Sequence, residues 1–357
     1  MLIFCIFIPN VLQMKRLKYL LVFILPISTY ISFTSKGFLT FLPVLITFGL
    51  VPILELFFKA DSKNFDEETA KLEKKNTIYS WILYATVPVQ LGILILFFYV
   101  IQEPLSTGEY IGRVLSMGIT SGVLGINVGH ELGHRLNKME QLLGELMLLT
   151  SLNTHFLPYH NGGHHLNVAT PNDAATARRN ELLYVFWVRS HFTSYVQAWQ
   201  LENKRLRNQN KSSYSTQNKM ISYSIANLIV LFTIYYFFGW FVLVSFVLVA
   251  VIGILQLETV NYIEHYGLLR KKNEHGRYEK VRHLHSWNSD HVIGKLLLFN
   301  LSRHSDHHYN GSKPYQILKS LPESPQMPTG YPGMMLLSLI PPLWFNYMNA
   351  KIANIQS

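Results

Sequence analysis

Cysteine is almost absent from this chain of 357 residues: there is one, Cys5. A single thiol excludes an internal disulfide, and it excludes an iron–sulfur cluster held within the chain, because such clusters take several thiolates. Charge is scarce too, with 15% Asp, Glu, Lys and Arg against 49% hydrophobic residues. No G-x-G-x-x-G string is present to bind a dinucleotide, and no Asp-Gly pair occurs. Repeats, low-complexity tracts and long Gly/Ser linkers are lacking as well, so one domain, 1–357, is the simplest organisation.

Long apolar sequence fills the space these absences leave. Blocks of about 17–25 apolar residues match the length of a bilayer-spanning helix. They run from Leu17 to Phe33, Phe38 to Phe58, Ile78 to Ile101, Tyr110 to Val128, Met220 to Phe238 and Phe241 to Tyr262. The expected fold is an all-α integral membrane protein, a bundle of six transmembrane helices with a cap formed by 129–219 and 264–357. Met14-Lys15-Arg16 before the first block resembles a signal peptide, but no small-residue cleavage site follows. It is read as the first transmembrane helix, with the residues before Met14 as an upstream extension and the start at either Met1 or Met14. Four prolines, Pro322, Pro325, Pro328 and Pro332, keep 320–332 from continuing a helix. The last apolar piece, Met334 to Tyr347, is broken by Pro341-Pro342 and is expected to be interfacial or re-entrant.

Positive residues near span ends stay on the cytoplasmic side. Lys15, Arg16 and Lys18 precede the first span and five lysines lie from Lys59 to Lys75, whereas Gln102 to Glu109 and Gly239-Trp240 carry none. Both termini and the cap are therefore expected in the cytoplasm. The net charge of +10 is concentrated there: 129–219 holds ten basic and six acidic residues, and 264–357 holds eleven and six. Such a face suits anionic lipid headgroups or an acidic protein partner; a nucleic-acid partner is not expected.

Nine of the fifteen histidines sit in short clusters just outside the apolar blocks: His130/His134, His160/His164/His165, His265 and His304/His307/His308. Imidazole is the commonest protein ligand for iron, zinc, copper and nickel, and nine donors exceed what one tetrahedral ion uses. Two metal ions are the economical expectation. His130-Glu-Leu-Gly-His134 continues from the fourth span, so an i, i+4 pair on a helix places both rings on one face. The same string is the H-E-x-x-H motif of zinc proteases, with Glu131 as general base. An intramembrane protease takes a further carboxylate from an Asp-Gly motif, absent here, and would leave seven clustered histidines without a role. Glu131, Glu264 and Asp306 adjoin ligands and are candidate acceptors for the second imidazole N–H; Asp173 and Asp290 rank behind them. His155, His191, His275, His283, His285 and His291 are read as ordinary hydrogen-bonded histidines.

Longer strings narrow the chemistry. Asn-Val-Gly-His-Glu-Leu-Gly-His-Arg (127–135), Val-Ala-Thr-Pro-Asn-Asp-Ala-Ala-Thr-Ala-Arg (168–178), Asn-Tyr-Ile-Glu-His-Tyr-Gly-Leu-Leu-Arg (261–270), His-Ser-Trp-Asn-Ser (285–289), Arg-His-Ser-Asp-His-His (303–308) and Pro-Thr-Gly-Tyr-Pro-Gly (328–333) resemble the AlkB-type membrane alkane monooxygenases of the di-iron desaturase and hydroxylase superfamily. The likeness runs from about the second span to Trp344. It implies a cytoplasmic di-iron centre under six helices, with His130, His134, His160, His164, His165, His265, His304, His307 and His308 as ligands. It further implies that O2 and two electrons from rubredoxin, reduced by an NAD(P)H-dependent rubredoxin reductase, hydroxylate the terminal methyl of medium- or long-chain n-alkanes. The setting it implies is the bacterial inner membrane, with substrate arriving from the bilayer. Thr47 matches a position on the second helix where some relatives carry Trp, which makes it the candidate gate for chain length. Two residues depart from the family pattern: Tyr159 replaces a glutamate, and Ser302 replaces a glutamine. A desaturase or fatty acid hydroxylase, an alkyl-aromatic hydroxylase and, further off, the zinc protease are the competing readings.

Overall fold

The computed structural model describes residues 16–356, and its regular elements there are all helices; pairing between extended segments is limited, among the described residues, to the isolated bridges Lys272 with Tyr278 and Asn288 with Gln326. Cys5, Lys15 and the alternative start at Met14 lie outside the described residues.

The apolar blocks become α1 (Lys18–Thr34), α2 (Gly37–Phe57), α4 (Ile78–Val100) and α5 (Thr107–Gly133), with the short cap helix α3 (Glu67–Lys75) between α2 and α4. Ser106 starts α5 three residues ahead of the apolar block, because its side chain and that of Glu109 cap each other's backbone N–H groups. After α6 (Lys138–Leu149) come a helical segment at 156–167, called α7, and the amphipathic α8 (Leu183–Asn208).

The fifth and sixth blocks form one element, α9 (Lys219–His265). Unbroken, its 47 residues would extend about 70 Å, more than twice the hydrocarbon thickness. Gly239 divides it by adopting φ 80° and ψ −179°, a conformation open to glycine and strained for other residues. Four helices, α2, α4, α5 and α9, are long and apolar enough to cross a membrane, while α1 is apolar but shorter. Large side chains on these helices point outward, Phe57 at 80% and Phe237 at 71% exposure, as a lipid-facing surface requires. The C-terminal third adds α10 (Val292–Leu297), α11 (His304–Tyr309), α12 (Tyr331–Ser338) and α13 (Pro341–Gln356), so the Pro341-Pro342 pair begins a helix instead of ending one.

Close backbone contact fixes the cap against the bundle. A Cβ on Gly144 of α6 would stand 2.9 Å from the Gly129 carbonyl of α5, and one on Gly129 would stand 3.0 Å from the Gly144 carbonyl. Two glycines let α6 lie directly on the turn of α5 that carries His130.

Candidate metal centre

Four segments deliver the histidines. The end of α5 presents His130 and His134 one turn apart; α7 presents His160, His164 and His165; the end of α9 presents His265; and α11 presents His304, His307 and His308. Two wider turns, 121–127 in α5 and 160–164 in α7, hold i→i+5 backbone bonding just before or among these residues. Such bulges rotate the following side chains relative to a regular helix.

The rings converge in two groups. In the first, the ligand nitrogens of His130, His134, His160 and His307 all lie within 4.8 Å of one another; in the second the same holds for His164, His265, His304 and His308. His130 Nε2 stands 2.8 Å from His160 Nε2, 3.1 Å from His134 Nε2 and 3.2 Å from His307 Nε2. His308 Nε2 stands 2.9 Å from His304 Nε2 and 3.2 Å from His164 Nε2, and His304 Nε2 is 3.2 Å from His265 Nε2. His165 joins the first group through its Nε2, 3.0 Å from that of His160.

Hydrogen bonding among the rings cannot account for this convergence. A neutral imidazole carries one N–H, so a nitrogen with three nitrogen neighbours cannot bond to all of them. A cation satisfies them together: ligands at 2.0–2.1 Å in a tetrahedron stand about 3.3 Å apart, close to the spacings observed. Each group can therefore hold one metal ion, and His165 adds a fifth nitrogen to the first.

The acidic residues sit in unequal roles. Asp173 accepts from His164 Nδ1 at 2.9 Å, which turns the opposite nitrogen toward the second group. Burial pushes the Asp173 carboxyl up, but the His164 ring and hydrogen bonds from His164, Thr176 and Tyr159 hold it down at about 2. Tyr159 is thus the buttress of Asp173: its hydroxyl donates at 2.5 Å and accepts from Ala175 N. Ser302 bonds instead to the Ser289 carbonyl. Glu264 faces the metal side: one oxygen lies 3.1 Å from His304 Nε2 and the other accepts from Tyr331 at 2.6 Å.

Glu131, Asp306 and Asp290 have other partners. Glu131 pairs with Arg135 at 2.8 Å and accepts from Tyr315 N, so it is not aimed as the general base of a protease. Asp306 accepts from Lys313 and from Lys319 N, and Asp290 pairs with Arg303 and Ser320. The Nδ1 atoms of His130, His304, His307 and His308 are buried without a hydrogen-bond partner among the described residues. Composition and spacing single out neither Tyr331 nor Tyr159; Tyr331 lies in the 328–333 string and Tyr159 beside the second cluster.

The rings of the remaining histidines stay out of the two groups, although the His285 backbone carbonyl accepts from the His265 ring. His155 and His191 pack on each other at 5.1 Å, and His285 contacts Glu279 and Arg282 N. His291 bonds Ser289.

Above the two groups an apolar cavity runs into the bundle between Leu25, Val123, Leu257, Leu297 and Met335; it ends on His130, His160, His304 and Glu264, and Thr47 lines it. The centre thus meets a space fitted to a molecule without polar groups.

The fatty acid desaturase family matches residues 110–337. The chain is similar to alkane 1-monooxygenase 1 of Pseudomonas aeruginosa, 39% identical over 96% of this chain and 92% of that protein. Its similarity to the alkane 1-monooxygenase of Ectopseudomonas oleovorans is 36% over 97% of this chain and 88% of the relative. The hydroxylase component of a xylene/toluene monooxygenase from Pseudomonas putida is 27% identical over 93% of this chain and 87% of its own length.

Proposed function

The chain belongs to the fatty acid desaturase family, and from that premise we propose that it is a membrane alkane 1-monooxygenase: a di-iron enzyme that converts medium- or long-chain n-alkanes to 1-alkanols with O2. The observation that carries the reading is the apolar cavity ending on two buried histidine groups.

His130, His134, His160, His165 and His307 would hold one iron, and His164, His265, His304 and His308 the other. The bound irons supply O2 activation strong enough to hydroxylate an unactivated C–H bond. The chain's own part is placement. The apolar walls desolvate the alkane and exclude water, and the cavity floor brings one end of the chain against the histidines. Asp173 fixes the tautomer of His164. Glu264, held by the Tyr331 hydroxyl, sets a carboxylate beside His304 at the junction of cavity and centre, where it can take or return a proton.

Electrons come from outside the chain, which has one cysteine and no dinucleotide motif. The donor in this reading is rubredoxin, reduced by its NAD(P)H-dependent reductase. Six crossings, with Gly239 as the turn between the last two and α1 as the first, put the histidine cap on the cytoplasmic face of the bacterial inner membrane; the whole chain acts as one hydroxylase domain.

The alkane reading is favoured over the alkyl-aromatic one by identity, 39% against 27%. Protein purified from membranes should contain two irons per chain and little zinc, and should consume NAD(P)H in the presence of n-alkane, rubredoxin and reductase. Stoichiometric zinc in an active protein, or turnover that needs no electron donor, contradicts the proposal.

A further inference from the structure

The long cap helix α8 has one face packed on the protein and an opposite face that is apolar and exposed. On the packed side Leu183, Phe186, Ser190, Ser194, Ala198 and Glu202 recur at three- and four-residue spacing and are buried. The outer side repeats the spacing with Tyr184, Val185, Val188, Phe192, Tyr195 and Val196, all exposed, Phe192 by 66%. Between Leu183 and Trp199 the chain has a single Asp, Glu, Lys or Arg, Arg189, and its guanidinium is turned to Glu181 and to the Ala174 and Thr176 carbonyls. Six large apolar side chains in a row exceed the scattered exposure that is normal on a water-facing surface.

α8 lies where the apolar blocks end. Trp187 Nε1 donates at 2.9 Å to the hydroxyl of Thr259, which stands three residues inside the sixth block. Toward its other end Glu202 accepts at 3.0 Å from Lys219 N, one residue before the fifth block. With Gly239 as the turn between two crossings, both contacts fall at the same membrane face and differ in depth by about 6 Å of helix rise. The helix thus runs along that face with its N-terminal end the deeper. There its stripe joins outward-facing surface: the Tyr184 hydroxyl donates to the Leu339 carbonyl at 2.7 Å, and Trp187 and Leu339 wall an apolar groove with Val44 and Phe48 of α2. At the shallow end the face turns polar. Trp199, Asn203 and Arg207 continue it at four-residue spacing and, with Lys211, Ser213 and Tyr214, line a surface pocket. Neither Arg207 nor Lys211 forms an ion pair among the described residues.

We propose that α8 is a membrane-interface helix: its outer face seats in the acyl chains of the leaflet on the cap's side, and Arg207 and Lys211 hold the phosphate of an anionic phospholipid. The inference is independent of the reaction and rests on the reading of α9 as two crossings. Amphipathic helices bind the headgroup boundary by burying apolar area there and by attraction to anionic lipid. The order of side chains along α8 follows that gradient, with valine, phenylalanine and tyrosine at the deep end, Trp199 at the boundary where indole is favoured, and two cations beyond it. The apolar face of a second copy of the chain would cover the stripe but leave both cations without counter-charge. Seating α8 also sets the depth of the metal centre, because Ala198 belongs to the same packed cluster as Tyr159, whose hydroxyl supports Asp173.

The test uses the full, iron-loaded chain in phospholipid vesicles, with Cys5→Ala removing the native thiol and a bimane label on one introduced cysteine at a time. Labels on Val188→Cys, Phe192→Cys and Val196→Cys should be quenched by doxyl-labelled lipid and protected from aqueous iodide, as should a label on Leu228→Cys on the outward side of α9. Iodide quenching at the three sites, with lipid quenching at Leu228→Cys, overturns the interface. Protection from both quenchers overturns it too and assigns the face to a second copy. For the headgroup, doxyl phosphatidylglycerol should quench a label on Tyr214→Cys about twofold or more beyond doxyl phosphatidylcholine at equal content. Arg207→Gln with Lys211→Gln should abolish that difference without loss of iron. Equal quenching by the two lipids with both cations in place overturns the phospholipid site. A label on Trp240→Cys that is quenched by deep doxyl lipid rather than by iodide contradicts the two crossings, while the labels on the stripe still decide the interface.

Discussion

Asp173 holds His164 through its Nδ1, while four other clustered rings lack a partner at that atom among the described residues. Asp173→Asn should therefore lower iron affinity about 10–100-fold, the usual cost of losing a carboxylate behind a ligating imidazole. His155→Ala should retain both irons, because His155 packs on His191 away from the groups; elemental analysis of the two variants under matched chelator decides both. Thr47→Trp should shift the product profile from a mixed n-alkane feed toward shorter chains, since a bulky ring at that wall shortens the cavity. An unchanged profile by gas chromatography would remove Thr47 from the gate. The clustered histidines were legible because their spacing has a single economical chemical meaning. The ranking of carboxylates was not: proximity in sequence favoured Glu131 and Asp306, but an arginine one turn away and a lysine seven residues on take them. Asp173, nine residues from His164, reaches it only through the loop that follows α7.

At the scale of the element, hydropathy located the apolar helices to within a few residues, because burial in lipid demands continuous apolar sequence whatever the tertiary contacts. It missed features that depend on contact. The wider turns at 121–127 and 160–164 leave no hydropathy mark, and the start of α5 follows capping by Ser106 and Glu109 rather than apolarity. The direct seating of α6 on α5 is equally silent. Gly144→Leu should force these helices apart, cost about 1–3 kcal/mol by overpacking, and displace His130 and His134. A lowered melting temperature together with iron loss checks this. Intact iron with a lowered melting temperature would mean that the histidines hold their positions without the α6 contact.

Across the whole molecule, the proposed reading sends an external electron donor to the positive face of the cap, and the structure sorts the charges on that face. The Arg270 guanidinium is turned inward onto the Glu279 and Leu166 carbonyls, and Arg205 is paired with Glu202 at 2.8 Å. Lys271, Lys272 and Arg207 remain exposed. Steering by such charge is screened over about 8–10 Å at physiological salt. Turnover at limiting rubredoxin should fall as ionic strength rises, and Lys271→Glu with Lys272→Glu should raise the apparent KM for rubredoxin without changing iron content. A rate indifferent to both would assign the face to lipid headgroups. The central claim, that the two histidine groups beneath an apolar cavity hydroxylate a terminal methyl with O2, is tested most directly by isotope. Protein supplied with rubredoxin, reductase, NAD(P)H and n-alkane under 18O2 should form 1-alkanol carrying one 18O, and none when the label is in water. An alkene, or an alkanol whose oxygen comes from water, would contradict it.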